Sequence, residues 1–112
     1  MAAALNNFRT TLADLTTTTA NVYTPPLGYA TVVLMAQVSN TGLGTIQVSA
    51  DIHRGSSTTS LINGTSIPAN DATSVLTGRL ILQYGDILQF TSSDNTSAQL
   101  VLSYLETLVT GN

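Results

Sequence analysis

Thr45-Ile-Gln-Val-Ser-Ala-Asp-Ile-His53 is the stretch on which the reading of the fold turns. Ile46, Val48, Ala50 and Ile52 alternate without a break with Thr45, Gln47, Ser49, Asp51 and His53. A strand turns successive side chains to opposite faces, so this period of two describes a strand with one buried and one polar face. Upstream, Tyr29 to Ser39 holds Val32-Val-Leu-Met35 and is apolar on both faces at its middle. A central strand, or one covered by a partner, reads that way. The link between the two, Asn40-Thr-Gly-Leu-Gly44, is rich in residues that accept positive φ and predicts a hairpin.

The same punctuation continues along the chain. Thr24-Pro-Pro-Leu-Gly28 is a rigid turn after a short strand at Asn21 to Thr24. Phe8 to Leu15 reads either as a strand, with Phe8, Thr10, Leu12 and Asp14 on one side, or as a helical turn through Phe8, Leu12 and Leu15. Asn63-Gly64 after Leu61-Ile62 predicts a tight turn, and Pro68 confines any strand near it to an edge. Thr73 to Thr77, Leu80 to Gln83, Ile87 to Thr91 and Gln99 to Leu108 read as further strands, the last again apolar on both faces. Turn signals spaced by about eight to twelve residues predict an all-β fold, a single antiparallel sandwich of about eight strands, jelly-roll or immunoglobulin-like. One domain is expected over residues 1–112, with an N-terminal arm (1–7) that is mobile or swapped to a neighbour.

Composition narrows the function. Three residues are Lys or Arg, six are Asp or Glu, none is Cys, and the formal net charge is −3. The three basic residues, Arg9, Arg54 and Arg79, are scattered, whereas phosphate backbones and anionic bilayers are held by clustered cations. No nucleic-acid and no membrane partner is therefore expected. Charged residues make up 8% of the chain, against roughly 25% in ordinary domains. Thirty are Ser or Thr. A surface so poor in charge suits burial against other protein. Met1-Ala-Ala-Ala-Leu-Asn-Asn7 has no basic segment ahead of an apolar run, so no secretory signal is expected. Asn63-Gly-Thr65 and Asn95-Thr-Ser97 match the glycosylation pattern but are read as turn asparagines.

Chemistry-bearing constellations are sparse. His53 is the sole histidine, with Asp51 two residues earlier on the same strand face, but no nucleophile is singled out beside the pair. One His and scattered acids give no zinc spacing. Asn70-Asp71 and Asp94-Asn95 lack the regular ligand spacing of a calcium loop. The glycines form no phosphate-binding motif. The expectation is a protein that is not an enzyme, with no cofactor and no metal. Candidate contact residues are Arg9, Tyr23, Tyr29, His53, Arg54 and Arg79, the two arginines beside Gly55 and Gly78 being placed to reach carboxylates across subunits.

One ordered set of segments carries a resemblance. Val22-Tyr-Thr-Pro-Pro-Leu-Gly28, Val32-Val-Leu-Met-Ala-Gln-Val38, Ile67-Pro-Ala-Asn-Asp-Ala72, Leu76-Thr-Gly-Arg-Leu-Ile-Leu82, Gly85-Asp86 and Leu102-Ser-Tyr-Leu-Glu106 together resemble small virion proteins of tailed phages, cyanophages above all. The order of the pieces makes the match, and it covers Asn7 to Glu106. The resemblance implies a β-sandwich capsid decoration, or cement, subunit made in the host cytoplasm and carried on the virion surface. It further implies the major capsid protein as partner and a homotrimer in preference to a dimer. The same resemblance admits a tail or head–tail adaptor, and the sandwich also admits a glycan-binding module.

Overall fold

The computed structural model describes residues 6–76 and 78–109. Nine strands and no helix build it: β1 (Asn6–Leu15), β2 (Ala20–Tyr23), β3 (Tyr29–Asn40), β4 (Ile46–Arg54), β5 (Ser57–Ile67), β6 (Ala72–Ser74), β7 (Leu80–Leu82), β8 (Ile87–Ser92) and β9 (Ala98–Leu108). They form two antiparallel sheets packed face to face. The five-stranded sheet runs β1-β9-β3-β6, with β7 also against β3; the four-stranded sheet runs β2-β8-β4-β5. The chain is an all-β sandwich, as the alternation at Thr45 to His53 predicts.

The pairings are nested. β1 pairs with β9, β2 with β8, β3 with β6 and β7, and β4 with β5. One long antiparallel ribbon has thus been rolled up until β9 also meets β3 and β8 meets β4. That is the strand order of a jelly roll, and not of an immunoglobulin domain. The ribbon's closed end is the two-residue link Gly55-Ser56, where Arg54 faces Ser57 and Gly55 takes φ 61°.

Inward faces supply the core. Val33, Ala36 and Val38 of β3, with Leu100, Leu102 and Tyr104 of β9, pack against Val48 and Ala50 of β4 and Leu88 and Phe90 of β8. The alternation that the sequence shows in β4 is kept in β8 and β9 and, apart from one break after Val33, in β3, because a sandwich of this kind buries one side of every strand.

Two turn expectations are corrected. Asn40 to Gly44 does not close a hairpin: β3 lies in the five-stranded sheet and β4 in the other, so the link is a corner between layers. Asn40 is buried and builds the corner, its Nδ2 donating to the carbonyls of Gly44 (2.7 Å) and Ile67 (2.9 Å) while its Oδ1 accepts from the Gly42 amide. A Cβ on Gly42 would stand 2.9 Å from the Ser97 Cβ, so the glycine serves close approach. Asn63-Gly64 does not turn the chain either. It lies inside β5 as a bulge, since Val48 faces Thr65 but Ala50 faces Ile62, and both flanking segments pair with β4 instead of with each other. Gly64 takes φ 74° there, and its amide donates to Ser49 Oγ at 3.0 Å. A glycine with positive φ serves a bulge as well as a turn.

Phe8 to Leu15 is strand, not helical turn. Of the expected arm (1–7), Asn6 and Asn7 sit in β1 opposite Thr107 and Glu106 of the same chain. Residues 1–5 lie outside the described residues, as do Thr77 and 110–112.

Candidate functional site

A strand covered on one side needs apolar residues only at alternate positions. β1 breaks that rule in a telling way. Its outward residues include Phe8 at 77% exposure and Leu12 at 73%, both in open solvent. Register then carries the pattern across the sheet. Phe8 faces Leu105 on β9, Leu105 faces Val32 on β3, and Val32 faces Ile81 on β7. Four apolar side chains thus form one row from edge to edge, with Ile81 62% exposed. One step along, Leu12 faces Val101. Between these rows Thr10 faces Ser103, which faces Met35.

A bulge enlarges the apolar set. The register of β3 against β9 slips between Val33 and Met35, so Leu34 is an extra residue. Val33 and Ala36 are buried, while Leu34 and Met35 between them are both exposed. A residue inserted into a strand interrupts the alternation, and here it turns two consecutive apolar side chains to the same side. Asp14, near the end of β1, is the ionisable side chain at the outward positions of this sheet among the described residues. At the β7 edge the face runs into a groove of about 440 Å³ bounded by Gly28, Tyr29, Ala30, Ile81, Gln83, Tyr84 and Val109.

The outer face of the four-stranded sheet is built differently. Its outward residues in register are Gln47, Ser49, Asp51 and His53 on β4, Gln89 and Thr91 on β8, and Thr58, Ser60 and Ser66 on β5, with Ile87 the apolar exception. They bond to one another: His53 Nδ1 with Thr58 Oγ1 at 2.8 Å, Gln89 Nε2 donating to Asn21 Oδ1 at 2.8 Å, and Thr19 with Thr91 at 2.8 Å.

Between the sheets lies a polar tie. The inward alternation of Leu100, Leu102 and Tyr104 delivers Glu106 to the interior at 4% exposure. Arg9 Nε donates to Glu106 Oε1 at 2.8 Å, and the Tyr23 hydroxyl donates to Oε2 at 2.6 Å. Tyr23 belongs to one sheet and Glu106 to the other, so this bond crosses the layers. The same phenol lies 2.7 Å from Thr31 Oγ1, its ring sits 4.3 Å from that of Tyr104, and Tyr104 meets Thr11 at 2.8 Å. Burial, then the bond to Glu106, pushes the Tyr23 phenol well above the usual tyrosine range.

A second tie locks the turns. Arg54 grips Asp86 with Nε on Oδ1 (2.5 Å) and Nη2 on Oδ2 (2.6 Å). The Gln83 amide donates to the same carboxylate at 2.8 Å, and Thr24 Oγ1 donates to the Asp86 carbonyl at 2.6 Å. Two parallel charge-assisted bonds give such a pair its geometry. The Arg54 guanidinium holds the Asp86 carboxyl below the usual carboxylate range, and the pair raises Arg54 in turn.

The six residues singled out by sequence therefore separate. Arg9 and Tyr23 meet on Glu106. Arg54 is engaged by Asp86 of its own chain. His53 lies on the polar outer face. Tyr29 bounds the groove beside Ile81. Arg79 is exposed and edges a separate cleft with Leu61, Ile62 and Val75. The row Phe8, Leu105, Val32, Ile81 is absent from that set. Its signal was present in the sequence as strands apolar on both faces. No group of three His, Cys, Asp or Glu residues placed to hold a metal ion occurs among the described residues. No protein-family model matches the chain, and no curated protein matches it.

Proposed function

We propose that this chain is a non-catalytic structural subunit of a phage virion, a decoration or cement protein carried on the capsid surface and bound to the major capsid protein. The observation that carries the reading is the row of exposed apolar side chains, Phe8, Leu105, Val32 and Ile81 with Leu12, Leu34 and Met35 beside it, on the sparsely charged outer face of the five-stranded sheet. An exposed apolar patch of that extent marks a surface that other protein covers, and the fold does not need it for its own core. Jelly rolls serve in viral capsids and in lectins, so the fold alone is no argument for either, and it is the exposed apolar row that supports assembly.

A cement subunit binds assembled shell in preference to free capsid protein, bridges neighbouring shell subunits and stabilises them by mass action against the pressure of packaged DNA. Quantitative mass spectrometry of purified virions, normalised to the major capsid protein, tests this. Near-stoichiometric abundance is the expected result. A few copies per particle would move the protein to a tail or head–tail adaptor, and its absence would remove the virion reading and return attention to glycan binding.

A further inference from the structure

We propose that the outer face of the five-stranded sheet is where two copies of this chain pair, an inference that rests on reading the face as an assembly surface. Three features choose a second copy as the occupant. The first is area. β1, β3 and β9 have 10, 12 and 11 residues and the short β6 and β7 three each; at about 4.8 Å spacing and about 3.4 Å rise per residue they give a footprint of about 640 Å². A standard interface takes about 600–1,000 Å² from each partner, so one such face against another falls within the size of a standard interface.

The second feature is charge. A face that recognises a charged partner carries complementary charge. This one carries Asp14 at a corner and otherwise apolar, hydroxyl and amide groups. A copy of itself meets no field of like charge across such a surface.

The third feature is the arrangement of the row. Its bulkiest exposed members, Phe8 and Ile81, stand at opposite edges, with Leu105 and Val32 between. A two-fold axis along the strands between β9 and β3 reverses the row. Phe8 of each copy then lies over Ile81 of the other, beside the groove of Tyr29, Ala30, Tyr84 and Val109, and Leu105 lies over Val32. Every member of the row gains an apolar neighbour. A single self-complementary patch closes by two-fold symmetry, whereas a three-fold ring requires two different patches on each subunit. The pairing leaves the polar outer face of the four-stranded sheet and the loops for the shell.

The test is sedimentation velocity on the full 112-residue chain from about 1 μM to about 100 μM, a range that brackets the weak end for interfaces of this size. The expected species has twice the 11.7 kDa chain mass. Phe8→Glu with Ile81→Glu places charge in the contact at two exposed positions, and is expected to weaken pairing about 100-fold or more, with an unfolding midpoint unchanged at concentrations where the unsubstituted chain is monomeric. Native cysteine is absent, so engineered thiols report without background. In the double variant Phe8→Cys/Ile81→Cys, oxidation is expected to link two chains into a covalent dimer. Within one chain the two positions are about three strand spacings apart, about 14 Å, beyond the ~7 Å that a disulfide spans.

Phe8→Cys alone is expected to stay unlinked; efficient linking by that variant places Phe8 over Phe8 and overturns the axis. A monomer throughout the concentration range, a ladder of larger species, or a dimer indifferent to the two glutamates overturns the proposal. A monomeric protein that is nonetheless abundant in virions, and lost from them on Phe8→Glu, sinks the second copy while the assembly reading stands. A dimer that virions do not contain sinks the virion reading while the pairing stands.

Discussion

The two outer faces of this sandwich obey the same backbone rules and carry opposite chemistry. On the four-stranded sheet, outward positions are Gln47, Ser49, Asp51, Gln89, Thr91 and Ser60, and their side chains are solvated or bonded among themselves. On the five-stranded sheet, outward positions include Phe8, Leu12, Val32, Leu34, Met35, Ile81, Val101 and Leu105, set among Thr10, Gln37, Gln99, Ser103 and Asp14. An antiparallel sheet with one wet side folds well with polar residues there, as the four-stranded sheet demonstrates within the same molecule. The apolar residues of the other face are therefore surplus to folding. Exposed apolar side chains in a contiguous sheet are a liability for association, and their presence argues that association is their use.

That contrast fails if the outer residues of the five-stranded sheet hold the fold after all, and the largest expected effect addresses this. Phe90→Ala, inside the sandwich, should cost about 3–5 kcal/mol in urea unfolding. Phe8→Ala, measured at a concentration where the chain is monomeric, should stay within about 0.5 kcal/mol, as an exposed substitution does. Comparable losses from both would show that Phe8 belongs to a core and not to a free face.

Next comes the tie between the layers. Tyr23→Phe removes the hydroxyl that serves both Glu106 and the fully buried Thr31, and should cost about 1–3 kcal/mol because two buried groups lose a partner. A neutral result would mean that the sheets are held by apolar packing alone.

The pH profile should have two limbs. The Asp86 carboxyl is depressed in the folded state, so its contribution is present above the unfolded aspartate value of about 3.9 and is lost as pH falls through the lower folded value. The Tyr23 phenol is raised, so its contribution is present below the unfolded value of about 10 and fades as pH rises toward the folded value. Thermal unfolding across pH reads both limbs. Asp86→Asn should shrink the acid limb, leaving the part due to Asp94, whose carboxyl the Ser97 hydroxyl also holds below the usual range, and should leave the alkaline limb; Tyr23→Phe should do the reverse.

The smallest effect sharpens the contrast most. Gln47→Glu, outward on the polar sheet and opposite Ser66, should alter stability by no more than about 0.5 kcal/mol and leave the sedimenting mass unchanged, whereas the paired glutamates at Phe8 and Ile81 are expected to dissociate the chain. Equal disturbance from both faces would remove the distinction between them.

Legibility followed range. The strand at Ile46 to Arg54 was plain because alternation is a local property, read within nine residues. Thr24 to Gly28 flagged a real turn for the same reason. Asn40 to Gly44 and Asn63-Gly64 carried turn chemistry that the structure uses for a corner and a bulge. Residues that accept unusual φ mark where the chain bends, without saying which strand it meets next. The face itself was half visible: Val32 to Met35 and Leu100 to Leu102 read as apolar on both sides, but that pattern belongs equally to a strand buried in the middle of a sheet stack. The sequence places Phe8 and Leu12 on one side of a candidate strand, but a helical turn competes with it, and neither is singled out as a contact residue.

From the sequence alone came the all-β class, most strand positions, the one-sided burial of β4 and the lack of clustered charge, all of which rest on composition and on neighbours a few residues apart. Tertiary structure decided the rest: the nested pairing of β1 with β9 and β2 with β8, the placement of Glu106 between Arg9 and Tyr23, the engagement of Arg54 by Asp86, and the row that joins Phe8 to Ile81. Each of these brings together residues of different strands or turns, many of them distant in the chain. Register and layer order, which no local periodicity specifies, determine whether such residues meet.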